Sequence, residues 1–335
     1  MAKKNPVPTI ILSIAPLLIL LTVILSILYG AKHIEFDVVW KALFHFEAGN
    51  LDHNIIRTSR LPRVIGALLV GAFLAISGAL MQGMTRNYLA SPSIMGVSDG
   101  AAFVITLCMV LDPGMSSFHM ILYSMIGSAL GAGIVFGFGS LIPNGLSPVR
   151  LAIIGTVIGT FLSSISAAIA SYFQISQNVS FWYNARLHQI DPNLLKIALP
   201  CGVVGIVLAL YISKSITILS LGDEISINLG QRTQLVKTVA ILSVVCLTGT
   251  AVALVGKIGF VGLIIPHITR YLVGVDYRWV IPCTGVIGGI FLALCDVISR
   301  FVNYPFETPI GVVTALIGIP FFLYLIRTRG GEKNA

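Results

Sequence analysis

Apolar runs without a charged residue alternate with short polar connectors along almost the whole chain. A helix needs about 20 apolar residues to cross a hydrocarbon layer of about 30 Å, and most of these runs are close to that length. In lipid, an open-ended segment satisfies its backbone hydrogen bonds only as a helix. Ten runs fit this description, at about 9–29, 64–81, 94–111 (interrupted by Asp99), 119–142, 151–173, 197–213, 238–256, 258–269, 279–295 and 308–326.

The pattern predicts an all-α polytopic membrane protein with about ten transmembrane helices in a single domain, residues 1–335. The run at 258–269 is too short to span by itself and closely follows its predecessor, so we expect nine or ten spans. No low-complexity linker divides the chain. Lys3 and Lys4 precede an apolar stretch that is longer than the core of a signal peptide, and we expect it to remain as the first helix.

Composition excludes several classes of protein. Apolar residues make up 56% of the chain and charged residues 10%, whereas about 25% of a typical soluble domain is charged. This excludes a soluble enzyme, a disordered protein and a disulfide scaffold. The five cysteines lie in or beside apolar runs without a C-x-x-C pair, so buried small side chains are expected. The net charge of +8 comes from scattered basic residues, which indicates lipid headgroups and topology rather than nucleic acid.

Three arginines just before the second apolar run depart from the expected topology: Arg57, Arg60 and Arg63. With both termini cytoplasmic they lie on the outer side, where the positive-inside rule disfavours them. Contact with phosphate headgroups would explain them. Docking of an acidic partner would also explain them, because arginine forms bidentate pairs with carboxylates.

The centres of nearly all the runs lack the ionisable residues that ion-driven transporters commonly hold there. Asp99 and Lys257 lie near run ends, and Asp99 is expected to cap a helix or line a cavity. Asp296 and Arg300 are four residues apart, and an intrahelical ion pair is expected.

Motifs for nucleotide binding and bond cleavage are missing from the sequence. It contains no G-x-x-x-x-G-K-[ST], no H-E-x-x-H and no G-x-S-x-G. We therefore predict no catalytic residue, no metal site, no cofactor and no enzymatic activity in this chain. If it takes part in active transport, the energy comes from another chain. An ion-coupled secondary transporter is the alternative, since ion sites built from carbonyls leave no side-chain trace.

The connector at 214–237 contains a segment that is bracketed by glycines, Leu221–Gly230 (LGDEISINLG). Leu221, Ile225 and Leu229 recur one helical turn apart, which predicts a short amphipathic helix with one apolar face. A solvated surface loop is one interpretation. A helix that docks into a groove on a cytoplasmic partner is the other.

Several segments, taken together and in order, resemble the FecCD-type permeases, the membrane subunits of ABC importers for iron-siderophores, haem and vitamin B12. The matching segments are RLPR (60–63), the glycine-rich stretch 66–83, SPSIMGVSDG (91–100), LGDEISINLG (221–230), GFVGLIIPHITR (259–270) and ETPIGVVTALIGIPFF (307–322). The stretch SFWYNARLHQ (180–189) is similar to permeases of catecholate-siderophore uptake in Gram-positive bacteria. It departs from the glycine-rich version of vitamin B12 permeases.

The resemblance implies a multi-pass permease of the cell membrane, with ten helices per subunit and a pathway between two permease subunits. The second subunit is homologous or identical to this one. Two cytoplasmic ATPase subunits and an extracytoplasmic substrate-binding (lipo)protein complete the importer. The implied cargo is a ferric siderophore, with haem or vitamin B12 as alternatives for the same architecture. Nucleic acid is not an expected partner.

The resemblance also implies roles for residues of this sequence at matching positions. Those that match positions pairing with acidic residues of the binding protein are Arg60, Arg63 and Arg300. Those that match helices contacting the ATPase are Leu221, Gly222, Asp223, Glu224, Leu229 and Gly230. Those that match a cytoplasmic gate are Ser147 and Pro148, where the proline replaces a more usual small polar residue.

Overall fold

The computed structural model of the chain describes residues 6–30, 34–142, 147–183, 187, 190–304 and 306–330. Helices account for the regular structure of this part of the chain, apart from one isolated β-bridge. A π-helical turn, Ile56–Arg60, joins the third helix to the fourth. In chain order the helices are α1 (Val7–Leu28), α2 (Phe36–Phe44), α3 (Leu51–Ile55), α4 (Leu61–Thr85), α5 (Val97–Leu111), α6 (Ser117–Leu141), α7 (Pro148–Tyr172), α8 (Ser176–Tyr183), α9 (Pro192–Tyr211), α10 (Ser213–Leu219), α11 (Asp223–Asn228), α12 (Thr233–Val255), α13 (Val261–Val273), α14 (Tyr277–Ser299) and α15 (Ile310–Gly330).

Ten of these helices correspond to the ten predicted apolar runs. Seven are long and apolar enough to cross a membrane, and three shorter apolar helices, α5, α13 and the Ile310–Tyr324 part of α15, complete the set. The predicted all-α polytopic architecture is therefore confirmed. The short run at 258–269 forms a separate helix, α13. We call the end of the bundle that carries Arg60 the outer end and the end that carries α11 the cytoplasmic end, following the orientation predicted from the sequence.

Helix α4 lies at the centre of the bundle, packed against α12, α13 and α14. Small residues let these backbones approach closely. A Cβ added to Gly78 would lie 1.8 Å from the carbonyl oxygen of Gly262 in α13, so no larger residue fits there. Lipid offers no hydrophobic driving force between helices, and such close contacts stabilise their association instead.

Helices α5 and α13 begin inside the bundle rather than at its surface. The turn before α5 and the turn before α13 are in contact there: the Ser93 hydroxyl donates to the Ile258 carbonyl at 3.4 Å. Gly262 also lies next to Pro92. The ends of these two apolar runs, near which Asp99 and Lys257 lie, are therefore deep in the protein.

Helix α7 lies at the edge of the bundle, against α5 and α6, and leaves a wide face uncovered in the single chain. That face carries large apolar side chains such as Val157 and Phe161. It also carries three exposed hydroxyl residues one turn apart, Thr156, Thr160 and Ser164. The face is thus mixed in polarity.

Candidate functional site

A cluster of charged side chains, all buried except that of Glu307, joins α1, α4 and α14 at the outer end. We call it the outer arginine cluster: Arg60, Arg63, Asp296, Arg300 and Glu307. Arg63, in the first turn of α4, donates from Nε and Nη2 to the Asp296 carboxylate at 2.8–3.0 Å. Its Nη1 donates to Glu307 at 2.7 Å. Two carboxylates thus satisfy one buried guanidinium, in the bidentate geometry that arginine favours.

The other two arginines of the cluster bind the C-terminal end of α1. Arg300 pairs with Asp296 and donates to the carbonyls of Ser26 and Tyr29 at 2.7 and 2.6 Å. Arg60 donates to the carbonyl of Ile27. The last carbonyls of a helix have no partner within it, and α1 has no basic residue in its last turn. Arginines from elsewhere in the chain therefore cap α1.

The predicted ion pair between Asp296 and Arg300 is confirmed. Of the three outer arginines, Arg60 and Arg63 are each 7% exposed, whereas Arg57 is open to solvent. Arg57 lies over the ring of Phe46 at 4.7 Å. The role of the buried arginines in docking a binding protein stays a prediction.

The cytoplasmic connector folds into two short helices, α10 and α11. A short helix, α11, is present in the predicted segment, but Leu221 and Leu229 of the predicted apolar face lie outside it. Gly222 precedes it with a φ of +133°, a backbone conformation that favours glycine. The large apolar side chains of the segment are exposed in the single chain: Leu221 59%, Ile225 47%, Ile227 59% and Leu229 64%.

Hydrogen bonds hold the connector against the bundle. Lys237 of α12 pairs with Asp223 at 3.0 Å, and the Thr217 hydroxyl of α10 accepts from the Tyr277 backbone N–H at 2.9 Å. Asp276 caps the start of α14 and lies next to α10. Hydrogen bonds from Arg278 lower the pKa of the Asp276 carboxyl, so it is ionised at neutral pH. The connector is therefore linked to α12 and α14, while the apolar side chains of the segment around α11 are exposed.

A cavity of about 260 Å³ opens between the connector and the bundle. The residues that line it include Leu221, Arg86 and Arg270. The side-chain oxygen Oε1 of Gln82 accepts a hydrogen bond from Arg270, whose guanidinium also lies 4.7 Å from the centre of the Tyr88 ring. The cytoplasmic end thus offers apolar side chains next to a basic recess.

The predicted gate falls at the start of α7. Ser147 is the N-cap residue, and its carbonyl accepts from Leu151 at 2.9 Å. Pro148 occupies the first helical position, where its fixed φ and missing N–H cost nothing. Residues 143–146 before them lie outside the described residues. The gate role is untested and stays a prediction.

Sequence reasoning missed the partners of the outer arginines. The sequence predicted an ion pair of Asp296 with Arg300 only. It did not predict that Glu307 and the C-terminal end of α1 bind the outer arginines. The signal in the sequence was three arginines within seven residues just before an apolar run. The stretch 180–189 can be compared only in part, because 184–186 and 188–189 lie outside the described residues.

Comparison with known proteins identifies the family. Residues 18–328 match the model of the FecCD transport family. The chain is 63% identical over 325 residues to the iron-uptake system permease protein FeuB of Bacillus subtilis, covering 97% of each chain. It is 50% identical to the iron(3+)-hydroxamate import system permease protein FhuB of the same organism, covering 92% of this chain and 81% of FhuB.

A solved structure described as an inward-facing conformation of a metal-chelate type ABC transporter has the same fold. It superposes with a TM-score of 0.81 at 28% identity, covering 96% of this chain and 99% of the other. Family, relatives and fold agree over nearly the whole length of the protein. The chain therefore belongs to the FecCD transport family and is a multi-pass permease of the cell membrane.

Proposed function

We propose that this chain is the permease subunit of an ABC importer that takes up ferric-siderophore chelates, using ATP hydrolysed by a separate subunit. The observation that carries the proposal is the 63% identity to an iron-uptake permease over 97% of both chains. The second relative is named for import of an iron(3+)-hydroxamate. No nucleotide-binding or catalytic motif occurs in the sequence, which supports a transport role without enzymatic activity of its own.

The proposed importer contains a second permease subunit, two cytoplasmic ATPase subunits and an extracytoplasmic substrate-binding protein. The exposed apolar side chains of the connector support the ATPase contact, because exposed apolar groups clustered beside polar ones mark protein interfaces. Leu221, Ile225 and Leu229 would enter a groove of the ATPase. The ion pair between Asp223 and Lys237 would transmit movement of the ATPase through the connector to α12.

For the outer arginine cluster we propose a supporting role in docking. A direct pair between Arg63 and a partner would have to displace Asp296 or Glu307, and breaking a buried ion pair is costly. The cluster instead holds α1, α4 and α14 together at the outer end. Arg57 and the exposed residues around it would then provide the contact with an acidic binding protein.

For the gate we propose that Ser147 and Pro148 fix the cytoplasmic start of α7. An engineered cysteine at Ser147 should form a disulfide with its counterpart in the second subunit in one nucleotide state of the importer and not in the other. Equal cross-linking in both states would show that this position does not move with the transport cycle.

Reconstitution tests the proposed function. The chain is co-expressed with its ATPase, sister permease and binding protein, and uptake of radiolabelled ferric siderophore into proteoliposomes is measured with ATP. Haem and cobalamin serve as competing cargoes. We expect ATP-dependent uptake of the ferric chelate that stops when the ATPase is inactivated. Uptake that persists without the ATPase, or uptake of haem or cobalamin alone, would contradict the proposal.

A further inference from the structure

One further ion pair lies far from both ends of the bundle. The ammonium of Lys257, in the turn between α12 and α13, lies 2.8 Å from the Asp99 carboxylate in the first turn of α5. The Ser163 hydroxyl of α7 bonds to both, at 3.1 Å from each. The Tyr183 ring lies 5.0 Å from the ammonium. Four elements thus converge on one charged group.

The depth of this group follows from helix geometry. At a rise of about 1.5 Å per residue, Ser163 lies about 22 Å from the first residue of α7 and about 14 Å from its last. A hydrocarbon layer about 30 Å thick would include that level. Charges at such depth are costly and are typically kept where they contact an ion or a substrate.

Two glycines make room for the pair. A Cβ at Gly159 would lie 2.4 Å from a carboxylate oxygen of Asp99, so α7 can approach Asp99 only with glycine at this position. Gly256, with a φ of +74°, lies against the backbone of Trp182 and directs the turn that carries Lys257. The backbone on both sides of the ion pair thus depends on glycine at these two positions, which indicates that the pair is a specific feature of the fold.

The pair is open on one side. The side chain of Lys257 is 30% exposed and that of Asp99 15%. An ammonium open to lipid at this depth would be strongly unfavourable, so the open side must face a water-filled path or a polar surface. Thr156, Thr160 and Ser164 of α7 are exposed one turn apart on the same helix as Ser163, and each hydroxyl donates to the carbonyl four residues before it.

We propose that Lys257, with Ser163 and the ring of Tyr183, forms a cargo-contact site in the translocation pathway that binds the anionic oxygens of an iron chelate. This inference rests on the proposed function and names a site for it. Two of the three N–H donors of the ammonium point to Asp99 and Ser163, which leaves one donor for a ligand oxygen. The Tyr183 hydroxyl bonds to Thr106 and keeps the ring in place.

Asp99 has a positioning role in this site. It orients the Lys257 ammonium when no cargo is present, and its negative charge partly offsets the attraction of the site for an anion. A transport pathway needs such a compromise, because a ligand that binds too tightly does not leave. The site therefore favours weak, transient binding of an anionic chelate over tight binding.

The test uses the complete importer in proteoliposomes, with a radiolabelled anionic ferric tris-catecholate chelate as the probe. Lys257→Gln removes the charge, and Lys257→Arg is the matched control that retains it. We expect Lys257→Gln to lower kcat/KM for uptake by about tenfold or more, the order of effect of one charged hydrogen bond. Lys257→Arg should keep most of the uptake. Complex yield and affinity for the binding protein are measured in parallel for every variant.

A charge exchange separates cargo contact from a purely structural pair. Asp99→Lys combined with Lys257→Asp preserves the ion pair but reverses it, and we expect uptake to stay low. Full recovery in the exchanged variant would overturn the proposal, and so would uptake by Lys257→Gln within about twofold of the parent complex.

If Lys257→Gln does not assemble, the double variant Asp99→Asn with Lys257→Met replaces it, because it leaves no buried charge unpaired. Low uptake by this assembled variant supports the site, and normal uptake overturns it. The parent complex is measured beside the variants. A parent complex that transports no ferric chelate overturns the proposed function and this inference with it. A parent complex and a Lys257→Gln variant that transport equally overturn the inference alone.

Discussion

The two ends of the bundle differ in which side chains are buried and which are exposed. At the outer end, charged side chains of the outer arginine cluster are buried: Arg63 and Asp296 are almost fully buried and bonded to each other. At the cytoplasmic end, the connector exposes apolar side chains such as Leu221 and Leu229. The charged cluster therefore stabilises the chain's own fold, whereas the apolar connector is suited to contact another protein. Residue type alone suggests the reverse assignment.

The largest expected effect follows from reversing a buried charge. Arg63→Glu would place a carboxylate against Asp296 and Glu307, and we expect a loss of about 3–5 kcal/mol of stability, the cost of a broken buried ion pair. The measurement is the yield and thermal stability of the protein in detergent.

Arg57→Glu is the matched control for this change, because Arg57 is exposed. It should fold normally. If Arg57 contacts an acidic binding protein, affinity should fall by up to about 1 kcal/mol, and more at low salt. A stable Arg63→Glu protein that has lost only its affinity for the binding protein would show that Arg63 itself forms the docking contact.

The next largest effect concerns the apolar side chains of the connector. Leu229→Asp should lower affinity for the ATPase by about 2 kcal/mol, a typical value for a residue at the centre of an interface. Stability of the isolated permease should change little, since Leu229 is largely exposed. Co-purification of the ATPase and ATP-driven uptake are measured. Leu111→Asp, at an exposed leucine of α5, is the control. Equal losses in both variants would argue against a specific contact.

A smaller effect is expected from the backbone that orients α11. Gly222→Ala forces a side chain into a φ of +133° and should cost about 1–3 kcal/mol locally. ATP hydrolysis would then continue with less transport per ATP. The measurement is the ratio of chelate imported to ATP hydrolysed. Gly114→Ala is the control, because open space surrounds that glycine. An unchanged ratio for Gly222→Ala would exclude the orientation of α11 as a coupling element.

The smallest effect concerns the partly exposed pair of Asp223 and Lys237. Lys237→Met should change stability by less than about 1 kcal/mol, because solvent screens such pairs. It should still reduce coupling measurably if this contact transmits movement to α12. The same ratio of transport to hydrolysis reports it. An unchanged ratio in Lys237→Met would show that this ion pair does not transmit the movement. The contact of α10 with α14 would then be the remaining link between the connector and the bundle.

Much of the fold could be predicted from the sequence, because lipid imposes one strong rule on each spanning segment. About 20 apolar residues per helix are needed, and ten runs gave ten helices. The glycine-bracketed connector was also predictable, since the apolar spacing and both glycines are local signals. The helix itself, Asp223–Asn228, is shorter than the pattern suggests because the glycines and their neighbours form its ends.

The pairing of charges could not be predicted, because it depends on contacts between distant parts of the chain. Arg63 and Asp296 are 233 residues apart, and Arg300 binds Ser26 across 274. Asp99 and Lys257, 158 residues apart, meet only because α5 and α13 begin inside the bundle. A run that ends deep in the protein looks the same in sequence as one that ends at the surface.

The most direct test of the account is the source of energy for transport. The complete importer is reconstituted in proteoliposomes, and uptake of labelled ferric siderophore is measured either with ATP and no ion gradient or with proton and sodium gradients and no ATP. We predict accumulation with ATP alone and none with the gradients alone. Accumulation driven by an ion gradient, lost in Asp99→Asn, would contradict the account and indicate an ion-coupled transporter.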